Sequence, residues 1–360
     1  MEPIILSQGN PIDTIPENVI EELGKQILIP NNHRYPQNES EGYNELRKEV
    51  YKWYQRRYAV NLDSINNVGI LIGSKEGILY FLLSQVDIGD YVIITNPCYQ
   101  TYKYLINLVG GIPYELNINI QNSFLPDLEN VPEEILRKAK AIIINYPNNP
   151  TCAVATKCFF DSLVRFAINY DIKIVNDNPY SEFIIDTKNK LSLLNSIGAD
   201  KVGIELNSFS KTFNMAGWRL GMVIGNESII SKMVKIKQMV DAGPFLALQK
   251  AALIALNEKN DFYVDNMAKK FATRKQRATE ELAKLGWDHK FQQGTYYLWL
   301  LCRDTSDSVV YSEFLKKRAN LHVTPGTKYG TNGEGYIRIS LALTDEEFEE
   351  TLFRLNQIYK

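Results

Sequence analysis

The chain has 360 residues, 45% hydrophobic and 23% charged, with a formal net charge of −2. That length carries two domains, or one large domain with an appendage, and buries a core without staples. The near-neutral balance and scattered basic residues argue against nucleic-acid and anionic-membrane partners, and no apolar run approaches the ~20 residues of a membrane span.

The opening segment, with "LSQGNP" at 6–11, is too polar and too broken by proline to read as a signal peptide. Residues 1–35 hold too few regular elements for a domain and are expected to pack on the rest. From 36 to 235 the chain alternates strand-like and helix-like runs. The strand candidates are "VGILIG" 68–73, "YVIIT" 91–95, "IPYELNI" 112–118, "AIIINYP" 141–147, "IKIVND" 172–177, "VGIELNSF" 202–209 and "LGMVIG" 220–225. Most are apolar on both faces, as in a sheet covered on both sides. Helical patterns at 99–109 and 157–170 lie between them. The alternation predicts an α/β fold with a mostly parallel seven-stranded sheet and helices on both faces.

From about 228 to 283 the pattern is helical. Strand patterns then follow at "TYYLWLL" 295–301 and "GYIRISLA" 335–342, with helix patterns at 308–319 and 344–359. Thr344 and Glu347 stand at capping-box spacing. Residues 236–360 therefore read as a smaller α+β domain.

The four cysteines, Cys98, Cys152, Cys158 and Cys302, form no metal-binding spacing and read as free thiols of a reducing cytoplasm. His33, His289 and His322 are far apart and read as surface or structural residues. Neither a metal site nor a Ser-His-Asp mechanism is expected.

Ligands of open α/β sheets bind beyond the carboxyl ends of the strands. After 68–73 comes "GSKEG", a turn opening a helix, where backbone N–H groups and the Ser74 hydroxyl suit a phosphate. After 91–95 comes Tyr99, and after 141–147 comes Asn149. The strand 172–177 ends on Asp177, with Tyr180 close behind. The strand 202–209 runs into Lys211. A phosphate turn, an aromatic, an amide, a carboxylate with a phenol, and a lysine match the needs of pyridoxal 5′-phosphate. That cofactor takes a lysine amine for its Schiff base, a carboxylate at its ring nitrogen and donors for its phosphate. Asn149 and Tyr180 would be donors near the ring hydroxyl.

With "SFSKTFNMAGWRLG" 208–221, "YPNNPT" 146–151 and "NDNPYSEF" 176–183, the chain resembles the fold-type I pyridoxal-phosphate enzymes, and within them the class I and II aminotransferases. The resemblance runs from "LSQGNP" 6–11 to "GYIRIS" 335–340. It implies that Lys211 forms the internal aldimine and then serves as base, and that Asp177 meets the ring nitrogen. It implies Tyr99 stacked on the ring, and Ser74, Lys75, Ser208, Ser210 and Arg219 around the phosphate. It further implies Arg338 and Gly9 at the substrate α-carboxylate. Tyr35, in "HRYPQNESEGYNELR", would reach the phosphate of a neighbouring subunit, making the enzyme a homodimer with shared sites.

The implied reaction moves the amino group of an L-amino acid (aspartate, diaminopimelate-type, aromatic or similar) to a 2-oxo acid such as 2-oxoglutarate. A carbon-sulfur β-lyase or a decarboxylase on the same fold is the alternative; "DNPYSEF" lacks the histidine motif of such lyases. Two departures stand out. Cys152 occupies the position where the family usually has glycine. No arginine lies in "QMVDAGPFLALQ" 238–249, where a dicarboxylate partner is expected; Arg34 is the candidate substitute.

Overall fold

The computed structural model describes residues 2–35, 41–287 and 292–359. His289 and residues 36–40 of the Tyr35 motif lie outside them.

The chain enters on a two-residue strand, β1 (Ile4–Ile5). Seven apolar runs then build one sheet: β2 (Val68–Leu71), β3 (Tyr91–Asn96), β4 (Ile112–Asn117), β5 (Ala139–Ile144), β6 (Lys173–Asp177), β7 (Gly203–Ser208) and β8 (Gly221–Gly225). Their order is β2-β8-β7-β6-β5-β3-β4. Each corresponds to a run read from the sequence. β3 to β7 pair in parallel, whereas β8 is antiparallel to both neighbours, β2 and β7.

Both faces of the sheet are covered, which is why its central strands are apolar throughout. Helices Ser74–Gln85, Thr101–Leu108 and Glu227–Val240 cover one face through Phe81, Tyr102 and Met233. Helix Lys157–Tyr170 covers the other through Phe160, Leu163 and Val164. Burying each such side chain contributes about 1.5–3 kcal/mol. Helices Asn44–Tyr58 and Leu246–Leu256 close the β2–β8 edge, where Leu46, Val50 and Ala252 meet Ile70 and Met222. Residue 235, the expected end of the large domain, falls inside helix Glu227–Val240.

The second layer is a three-stranded antiparallel sheet, β11-β12-β9. It is made of β9 (Tyr297–Leu301), β11 (Thr324–Pro325) and β12 (Tyr336–Ser340). Strand β10 (Leu321–His322) instead pairs in parallel with β1. Helices Ser308–Ala319 and Asp345–Tyr359 stand where the sequence placed them. The capping box forms: Thr344 N donates to Glu347 Oε2 at 2.9 Å, and Glu347 N to Thr344 Oγ1 at 3.1 Å.

Candidate active site

The carboxyl ends of β3, β5, β6 and β7 open on a cavity of about 310 Å³. Reversal of β8 brings its beginning to the same edge, because Ser208 and Gly221 are register partners. Arg219 therefore arrives beside the phosphate-type turn. A Cβ on Gly221 would lie 2.8 Å from Gly73 C and Ser74 N, so only glycine lets β8 start this close to the turn. Helix Ser74–Gln85 has no side-chain cap on its first turn, which leaves N–H groups for an anion.

Gly9, Ser74, Lys75, Tyr99, Asn149, Asp177, Tyr180, Ser208, Ser210, Lys211, Arg219 and Arg338 all line this cavity. Tyr35 does not; its side chain is 85% exposed. Arg34, the substitute considered for a distal arginine, is also exposed and outside the cavity lining.

Asp177 is buried at the end of β6. Its Oδ2 accepts from Tyr102 Oη at 2.7 Å, and its Oδ1 is buried without a partner. Burial pushes the carboxyl up to about 6, against the hydrogen bonds from Tyr102 and Ser74. Lys211 Nζ donates to Gly9 O at 2.6 Å. Burial, then the charges of Arg338 and Arg219, lower its amine to about 8. Lys75 Nζ lies 5.8 Å from the centre of the Tyr99 ring.

Arg338 Nη1 donates to Asn149 Oδ1 at 2.8 Å and Nη2 to Ser7 O at 2.7 Å, while Nε is buried and unpartnered. Its guanidinium sits 4.0 Å from the Tyr297 ring centre. Tyr180 Oη and Tyr297 Oη are 3.0 Å apart. A Cβ on Gly9 would fall 1.7 Å from Tyr297 Oη, so Tyr297 fixes how near the N-terminal segment comes.

Three supporting residues were not picked out from the sequence. Asn145 donates to the Asp177 carbonyl and accepts from Asn149 N at 2.7 Å. It is the polar residue ending an apolar strand run, a visible signal. Tyr102 lies three residues beyond Tyr99 in a helical pattern, hence on the same face. Tyr297 sat within a run read as strand, and nothing local marked it.

Cys152 adopts φ +64°, the conformation that favours glycine. Its side chain is accommodated: Sγ donates to Tyr297 O at 3.1 Å and accepts from Thr295 Oγ1 at 3.5 Å.

These residues fit pyridoxal phosphate. The unpartnered carboxylate oxygen of Asp177 calls for a cationic N–H donor, and the turn with Arg219 calls for an anion. The amine of Lys211, on the same cavity, is deprotonated more easily than an ordinary lysine.

Residues 2–355 match the family model for aminotransferase class I and II. An LL-diaminopimelate aminotransferase of Halothermothrix orenii is 40% identical over 347 residues, 96% of this chain and 88% of that protein. One of Desulforudis audaxviator is 41% identical over 355 residues, 99% of this chain and 90% of that protein. Among solved structures, an aminotransferase from Staphylococcus aureus superposes with a TM-score of 0.94 at 35% identity, covering 100% of this chain and 95% of that one. An aromatic aminotransferase from Pyrococcus horikoshii gives 0.92 at 30% identity, covering 99% and 95%. No helix among the described residues is long and apolar enough to cross a membrane.

Proposed function

Since the chain belongs to the class I and II aminotransferases, pyridoxal-phosphate enzymes that move an amino group from an amino acid to a 2-oxo acid, we propose that its donor is LL-diaminopimelate and its acceptor 2-oxoglutarate. The observation that carries the donor is about 40% identity to LL-diaminopimelate aminotransferases along nearly the whole chain.

When bound, pyridoxal phosphate supplies the carbonyl that takes up the amino group and the ring that accepts electrons released at the substrate α-carbon. In our reading Lys211 anchors it, and the Lys211 amine later moves the proton at that carbon. An amine lowered to about 8 suits this work at neutral pH. Asp177 Oδ1 would accept a hydrogen bond from the protonated ring nitrogen, and Tyr102 keeps that carboxylate oriented. Asn149 and Tyr180 would donate to the ring hydroxyl, and Tyr99 would pack against the ring. Ser74, Lys75, Ser208, Ser210 and Arg219 would hold the phosphate. Arg338 takes the substrate α-carboxylate, aided by Gly9.

We further read the enzyme as a homodimer, with Tyr35 reaching the partner's phosphate site. Its exposure supports this, as does the exposure of Leu28, Met239 and Val240. Unbridged cysteines support a cytoplasmic setting. We place the domain division after Leu256 rather than at 235, because helix Leu246–Leu256 shares the core of β2 and β8. Residues 1–35 remain a strap across both units.

The test is an absorbance titration of the cofactor-loaded enzyme with LL-diaminopimelate, aspartate, tyrosine and alanine. Conversion by LL-diaminopimelate at the lowest concentration is expected. Preference for another donor overturns the substrate, and pyruvate with ammonia in place of a 2-oxo product favours the lyase. Lys211→Ala should remove the absorbance band of the bound cofactor; a surviving band overturns the lysine role.

A further inference from the structure

A second cavity, of about 410 Å³, lies beyond the first and shares Tyr99 and Arg338 with it. The two residues form a common wall between the chemistry and the outside. Val323 and Pro325 give this outer cavity an apolar flank. Lys328 and Gln100 give it a polar one, and no acidic side chain lines it. Lys328 is exposed, and among the described residues its ammonium makes no ion pair or side-chain hydrogen bond. Arg338 differs: Nη1 and Nη2 are already engaged by Asn149 and Ser7.

From this geometry we infer that Lys328 is a specificity residue, selecting substrates whose side chain ends in a second carboxylate. The inference rests on Arg338 as the α-carboxylate anchor. With that end on Arg338, a side chain leaving past Tyr99 runs along Val323 and Pro325. An aliphatic chain suits that flank, and an anionic end then meets a cation with no competing partner. A side chain without a terminal charge gains only the apolar contact. Lys328 lies in "TPGTKYG" 324–330, after β11 begins and before Tyr329. Tyr329 is buried, and the centre of its ring lies 5.1 Å from the Arg338 guanidinium. The backbone carrying Lys328 is therefore fixed relative to the anchor.

The experiment uses the cofactor-loaded enzyme and the variants Lys328→Met and Lys328→Arg. Calorimetry reads the affinities for glutarate and butyrate, and steady-state kinetics reads kcat/KM for 2-oxoglutarate and pyruvate. An exposed charge pair contributes up to about 1 kcal/mol, so Lys328→Met should lower both dicarboxylate-to-monocarboxylate ratios about fivefold. Lys328→Arg should keep them near the wild-type values. Unchanged ratios in Lys328→Met overturn the inference, as does an equal loss in Lys328→Arg, which would mean shape rather than charge. Arg338→Lys should weaken butyrate itself. If it does not, the anchor reading fails and the inference with it; an intact anchor with an unchanged glutarate preference overturns the inference alone.

Discussion

At pH 7 the Asp177 carboxyl, pushed up to about 6, is largely ionised while buried with one oxygen unpartnered. Its folded pKa lies above the ordinary 3.8. The group therefore favours the folded state below about 4, and that contribution is lost as pH rises through about 6. Cofactor-free Asp177→Asn should melt above the wild type at pH 8, by a difference on the order of 2–3 kcal/mol, and the gap should close below pH 4. A gap of constant size across that range in calorimetric melts would contradict the buried charge. The same variant, cofactor-loaded, should lose at least about 10²-fold in kcat. Lys211 is displaced the other way, from 10.5 to about 8. Its buried charge opposes folding fully below about 8, and the cost lifts as pH rises toward 10.5. Reductive labelling of the cofactor-free protein with a small aldehyde, read by mass spectrometry, should modify Lys211 with a midpoint near pH 8. A midpoint near that of surface lysines would refute it.

At the level of elements, strand positions were legible because short β-branched runs between turn signals announce themselves. Direction was not. Nothing in "LGMVIG" distinguishes a parallel from an antiparallel strand, yet only the antiparallel course of β8 sets Arg219 beside Ser74. The site residues that carry charge or end a strand were readable from type and place. Asn145 shares that signal, yet its work is on the backbone of Asp177 and Asn149; Tyr297 had none, because its partners Tyr180 and Arg338 meet it only across the fold. Our extension of the large domain past 235 rests on packing rather than periodicity: Leu246–Leu256 looks like the helices after it, but shares the core of β2 and β8. Gly221→Ala tests the β8 contact. It should cost about 1–3 kcal/mol in denaturant melts and speed cofactor loss on dialysis. Unchanged retention would mean that the turn and Arg219 do not act together.

For the whole molecule, the prediction concerns assembly. Sedimentation at micromolar concentration should give a dimer, and Tyr35→Phe should weaken cofactor retention without dissociating it. A fully active monomer would remove Tyr35 from any shared site. Cys152 shows the limit of pattern matching at this scale. The family's glycine is replaced, yet the left-handed backbone is kept and a thiol fills the space between Tyr297 and Thr295.

The strap that delivers Ser7 and Gly9 hangs from the far end of the chain. β1 pairs with β10, and Ser7 O waits for an arginine 331 residues later in sequence. On the ribosome, the segment made among the first must remain unplaced until β12 has emerged. The large sheet can form while synthesis continues, because its strands end at Gly225. The last feature to be completed is then the cavity itself. A chain grown past Gly225 but short of β12 can hold its large sheet and still be unable to grip a substrate.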